Sequence, residues 1–69
     1  MTNEEAKEAF LRKSAVIHKD AYRHIEQRYE CISAIIYRRI GGRVRVSAEL
    51  LDRCRNGVTI AKVEDLELA

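Results

Sequence analysis

Gly41-Gly42-Arg43-Val44-Arg45-Val46-Ser47-Ala48-Glu49-Leu50 is the stretch from which the fold is read. Val44, Val46, Ala48 and Leu50 alternate with Arg43, Arg45, Ser47 and Glu49, the period of two expected of a half-buried strand. Even positions face a core and odd positions face out, over a strand spanning residues 43–54. Gly41-Gly42 supplies the positive φ of a tight hairpin turn, so the preceding run is the partner strand. That run, Cys31-Ile32-Ser33-Ala34-Ile35-Ile36-Tyr37, is rich in β-branched and aromatic residues and apolar on both faces, as in a buried strand. Two registers stay open. A two-residue turn sets Arg38 opposite Arg45. A three-residue turn ending at Gly42 sets Arg39 opposite Arg43 and Tyr37 opposite Arg45. Either way two arginines face each other.

Downstream, Asn56-Gly57 is a second hairpin signal. A two-residue turn would pair Arg55 with Val58 and put Val58 and Ile60 on the arginine face. A three-residue loop, Arg55-Asn56-Gly57, pairs Cys54 with Val58 and keeps Val58 and Ile60 beside Val44, Val46 and Leu50. The inside–outside pattern selects the three-residue loop, with Gly57 left-handed in a bulge. A short strand over residues 58–61, a single turn at Val63-Glu64-Asp65 and a last strand at Leu66–Leu68 follow.

Upstream, Thr2 with Glu5 three residues on is a capping box. Glu4, Glu5 and Glu8 suit the start of a helix and Arg12 and Lys13 its end, so a helix is placed over residues 3–12, docked through Phe10. Ser14-Ala15-Val16-Ile17-His18-Lys19 reads as a strand. Tyr22, Ile25, Tyr29, Ile32, Ile36 and Ile40 also fall at helical spacing, so a helix over residues 21–40 rivals the strand reading. Taken with strands, the order is helix, strand, excursion, three meandering strands, one helical turn, final strand. That is an α+β domain of residues 1–69, with the helix at 3–12 and a small β-barrel at 15–68. Five short strands with one turn of helix before the last resemble an SH3-like barrel.

From Ile32 onward the chain resembles small phage- and prophage-encoded proteins of Firmicutes. The residues that carry this are Ile32-Ser33-Ala34-Ile35-Ile36-Tyr37-Arg38, Ala48-Glu49-Leu50-Leu51-Asp52-Arg53-Cys54 and Val58-Thr59-Ile60-Ala61, together with Met1-Thr2-Asn3-Glu4-Glu5-Ala6. The resemblance covers about two thirds of the chain; residues 20–27 look longer than the family's usual first hairpin. It implies a phage accessory protein with an SH3-like fold. It implies no catalytic residues. Several phage proteins of this size act by binding, blocking a bacterial defence protein or sequestering a nucleotide signal.

Charge sharpens this expectation. The chain of 69 residues has a formal net charge of +2, but residues 23–55 hold eight arginines, no lysine and four acids. The guanidinium fork suits carboxylate or phosphate. The candidate ligand-binding set is Arg38, Arg39, Arg43, Arg45 and Tyr37, for an anion or an acidic partner. Glu49, on the same strand face, is the internal alternative that would neutralise those arginines. Cys31 and Cys54 are read as free thiols. With His18 and His24 they are scattered singly, which is no zinc spacing, and no orienting group completes a His–Cys nucleophile pair. No GxSxG, HExxH or phosphate-cradling loop occurs. Neither a cofactor nor a metal nor catalysis is expected. No apolar run approaches the ~18 residues of a membrane span, and the first thirteen residues are too charged for a signal peptide. The expected place is the cytoplasm of a bacterial host cell, with no membrane partner. The expected function is a non-enzymatic phage binding module acting on a host protein or a nucleotide-like anion. The alternative is a nucleic-acid-binding accessory protein using the arginine face. A domain this small has a marginal core, and Leu51 falls at an outward position, so a homo-oligomer is expected.

Overall fold

The computed structural model describes residues 1–20, 22, 24–52 and 57–69. The chain opens with helix α1 (Asn3–Arg12). Strands β1 (Val16–Asp20), β2 (Ile25–Tyr29), β3 (Cys31–Ile40), β4 (Arg43–Asp52) and β5 (Gly57–Lys62) follow, then a 3-10 turn at Val63–Asp65 and strand β6 (Leu66–Leu68). Among the described residues the six strands make two three-stranded antiparallel sheets, ordered β2-β1-β6 and β3-β4-β5. The sequence led to a barrel of about five strands. The structure is an α+β domain of two sheets, joined where the chain turns at Glu30 between β2 and β3.

Thr2 caps α1 as read. Its Oγ1 accepts from the Glu5 N–H at 3.1 Å, and its own N–H donates to the Glu5 carboxylate at 2.8 Å. The helix docks differently from expectation. Ala6 and Ala9 are its fully buried residues, and Phe10 is half-buried at the margin of the core. Small side chains let the helix backbone approach the sheet closely, so the phenyl ring flanks the contact rather than anchoring it. The helix over residues 21–40 is overturned: the described residues from Ile25 to Ile40 form β2 and β3. β-Branched side chains prefer the pleated surface, and this preference outweighs the helical spacing of Ile25, Ile32, Ile36 and Ile40.

The core draws Val16, Tyr29 and Leu66 from one sheet, Ile32, Ala48, Leu50 and Ala61 from the other, Val63 from the turn and both helix alanines. Leu50, Leu66 and Val16 are its largest fully buried side chains. The even positions of β4 face inward as expected, but burial fades along the strand. Leu50 and Ala48 are sealed, Val46 is half-buried and Val44 is 61% exposed.

The register of β5 corrects the sequence reading. Leu51 pairs with Val58, Glu49 with Ile60 and Ala48 with Ala61. Val58 and Ile60 therefore share the outer face with the odd residues of β4, and both are about half exposed, at 54% and 50%. Gly57 is the first residue of β5. The rest of the expected loop, Arg55 and Asn56, and the expected strand end at Cys54 lie outside the described residues.

Candidate anion-binding hairpin

The site is built by the β3–β4 hairpin. Gly41 and Gly42 have φ of +56° and +79°, values a residue with a Cβ adopts only under strain. Both central residues of a type I′ turn need them. The turn is thus two residues long, and Ile40 pairs with Arg43. That length decides between the two open registers: Arg38 stands directly across from Arg45, Arg39 from Val44, and Tyr37 from Val46.

Partners directly opposite share a face, so the candidate set divides. Arg38, Arg43 and Arg45 come together on the outer face with Ile40. Tyr37 and Arg39 lie on the other face with Val44 and Val46. A bulge at Ser33, between the Ile32–Leu50 and Ala34–Glu49 pairs, brings Ile32 back to the core face while Ala34, Ile36 and Arg38 stay outside. The two faces are both open at this end of the hairpin. Arg38, Arg39, Arg43 and Arg45 are exposed, as are Tyr37 at 64%, Ile40 at 52% and Val44 at 61%.

The arginines of this end form no ion pair among the described residues. Among the described residues no carboxylate lies within 4.0 Å of any of the four arginines; the ion pairs are Glu8–Arg12, Lys19–Glu26 and Lys19–Glu67. Glu49, the internal neutraliser weighed from the sequence, accepts a hydrogen bond from Ser33 Oγ at 3.1 Å. On its strand it is four residues from Arg45, roughly 13 Å at the rise of a strand. Lys62, opposite Ser47 on the same face, adds a cation one row nearer the arginines. Sequence reasoning left Lys62 out because the register of β5 that it assumed differs from the one observed.

The last paired residue of β5 is Lys62. Beyond it, the edge of β4 from Arg43 to Val46 has no neighbouring strand among the described residues. Hydrogen-bond alternation from the Ile40–Arg43 pair turns the Val44 and Val46 backbone groups toward that edge. An open groove of about 750 Å³ runs here, with Arg38, Arg45, Val46, Lys62 and Glu64 among its lining.

The remaining chemistry-bearing residues are dispersed. Tyr29 is buried in the core, its hydroxyl 3.4 Å from Thr59 Oγ1. His18 is half-buried on β1, His24 is exposed before β2, and Cys31 is a free, half-buried thiol paired across from Leu51. Cys54 lies outside the described residues. Among the described residues no three His, Cys, Asp or Glu side chains gather as metal ligands, and no helix is long and apolar enough to cross a membrane. No family model, curated protein or solved structure matches the chain.

Proposed function

We propose that the chain is a non-enzymatic binding module whose β3–β4 hairpin holds a phosphate-bearing ligand on Arg38, Arg43 and Arg45. The observation that carries this reading is the direct opposition of Arg38 and Arg45 with no carboxylate within 4.0 Å among the described residues. Like charges opposite one another in a sheet cost up to about 1 kcal/mol. A domain with so thin a core retains such a pair at a cost that an anion relieves. The scaffold is read as SH3-like. Support comes from the helical turn just before β6 and from the pairing of β6 back onto β1. The setting is read as that of phage accessory proteins in the bacterial cytoplasm, where the ligand is a nucleotide-like anion or a nucleic acid.

The test is Arg43→Gln with Arg45→Gln, with inorganic pyrophosphate and ATP as probes in thermal melts. The parent protein gains Tm with either probe. The double variant gains none, and its own Tm in dilute buffer is equal to or above the parent's. A parent indifferent to both probes, together with a double variant of lower Tm, would make the arginines structural and end this reading.

A second reading concerns the other end of the same face. There Cys31, Leu51 and Val58 form one row and Ala34, Glu49 and Ile60 the next. Half-exposed Val58 and Ile60 beside half-buried Leu51 are the observation that favours self-association of the module through this apolar end.

A further inference from the structure

The hairpin's shape narrows its ligand, granted that it binds phosphate at all, the reading on which this inference rests. A site for one mononucleotide converges its donors on an enclosed point. Here the guanidiniums diverge onto two faces, Arg38, Arg43 and Arg45 on one and Arg39 on the other, and the adjoining groove is open. Neither face of the hairpin end is covered by the rest of the domain, as Tyr37, Ile40 and Val44, all more than half exposed, attest.

Such an end is a two-stranded ribbon. Its strands are about 4.8 Å apart, and with side chains the ribbon matches the roughly 12 Å width of the B-DNA major groove, which admits it. Cations on both faces then meet phosphates on both walls. The tip is Gly41-Gly42, where nothing lies within 4 Å of the space a Cβ would fill. Backbone alone leads into the groove, free of side-chain bulk. Other nucleic acids fit less well. Single strands are held on successive aromatic platforms, and Tyr37 is the one aromatic residue of the hairpin. Duplex RNA has a major groove too deep and narrow to be entered.

We propose that the β3–β4 hairpin enters the major groove of duplex DNA, with Arg38, Arg43 and Arg45 against one wall and Arg39 against the other.

The experiment is fluorescence anisotropy of a labelled DNA duplex of roughly 20 base pairs, two turns of the helix, with the full chain. Four phosphate contacts predict a slope of log K against log salt near −3.6, so affinity falls about 150-fold between 50 and 200 mM salt. Arg43→Gln with Arg45→Gln flattens that slope by about 1.8, and Arg39→Gln alone by about 0.9. Circular dichroism of each variant checks that these exposed substitutions leave the fold intact. The same DNA as a single strand, the equivalent RNA duplex, and a duplex whose major groove is filled by glucosylated hydroxymethylcytosine each bind at least tenfold more weakly. Equal binding of the filled-groove duplex or of duplex RNA would overturn the groove assignment. So would a preference for the single strand, and so would an Arg39→Gln variant with the parent's slope. If pyrophosphate and ATP still raise Tm in the parent, the anion site survives that failure. If no polyanion binds, both readings fall together.

Discussion

Thr2 and Glu5 tie down the first turn of α1 by two reciprocal hydrogen bonds, and their exchange is electrostatic as well as geometric. The bonds that Thr2 makes to the Glu5 carboxylate, through its backbone first and its side chain second, hold that carboxyl below its ordinary value of 4.5. A carboxyl whose pKa is lower folded than unfolded stabilises the fold above the unfolded value, and that contribution is lost as pH falls through the lower one. Thr2→Ala keeps the backbone donor and removes the hydroxyl that accepts from the Glu5 N–H, and the loss of this cap should cost about 1 kcal/mol near neutral pH. The difference from the parent should shrink as pH drops below 4.5. Urea denaturation of both proteins at pH 7 and pH 3 measures this, and a cost that stays constant across that range would deny the Thr2 hydroxyl its part in holding the Glu5 carboxylate. Lys19 behaves with the opposite sign. Its hydrogen bond to the Glu67 carboxylate, at 3.0 Å, raises its pKa above 10.5. As pH rises, its contribution holds up to the unfolded value and is lost through the folded one. Acid sensitivity of the cap and alkaline sensitivity of the Lys19 bridge are thus separable in one pH series.

At the scale of the elements, α1 and β5 show what alternation and spacing convey and what they do not. The helix docks through Ala6 and Ala9, which are 0% and 2% exposed, so its distance from the core is set by methyl groups. Enlarging one of them overpacks the contact. Ala6→Leu should cost about 2 kcal/mol, whereas Leu11→Ala, at a position 67% exposed, should change stability by no more than about 0.5 kcal/mol. Chemical denaturation of the two variants decides it, and an Ala6→Leu protein as stable as the parent would mean that the helix stands off the sheets. The helix boundaries, its cap and the Gly41-Gly42 hairpin were legible because each rests on local chemistry: a side chain that caps, and a backbone only glycine adopts without strain. The docking residue was not, because hydrophobic size marks Phe10 while close approach favours alanine. The same substitution of size for fit misread β5. Val58 and Ile60 are the larger apolar residues of that strand, yet Ala61 is the one that faces Ala48 in the core. The arginine cluster was legible as a charge pattern on β4. Its division between two faces followed only from the length of the turn, which the sequence had left open between two and three residues.

For the molecule as a whole, the thin core and the uneven outer face belong together. Among the described residues four of the ten that are buried are alanines, so little apolar surface is sealed per residue and stability is sensitive to further burial. The outer face of the β3-β4-β5 sheet offers that burial at one end and forbids it at the other, where Arg38, Arg43 and Arg45 repel any like surface. A standard interface takes about 800 Å² from each partner, roughly a seventh of the 5365 Å² this chain exposes. Association through Leu51, Val58 and Ile60 would leave the arginine hairpin of each copy pointing away from the contact and open to a ligand. The proposed assembly and the proposed binding site then answer to different substitutions. At roughly 50 µM, well above the ~1 µM dissociation constant that corresponds to about −8 kcal/mol, sedimentation of the parent should give a species heavier than the 8.0 kDa chain. Val58→Glu with Ile60→Glu should return it to 8.0 kDa with its circular dichroism intact, because both side chains are already about half in water. Arg43→Gln with Arg45→Gln should leave the assembly unchanged or tighten it, since removing charge from the far end adds no repulsion to the contact. A parent that sediments only as the single chain would refute self-association. A parent whose assembly survives the two glutamates would place the contact elsewhere on the surface, with the edge strands β2, β3, β5 and β6 as the next available for pairing.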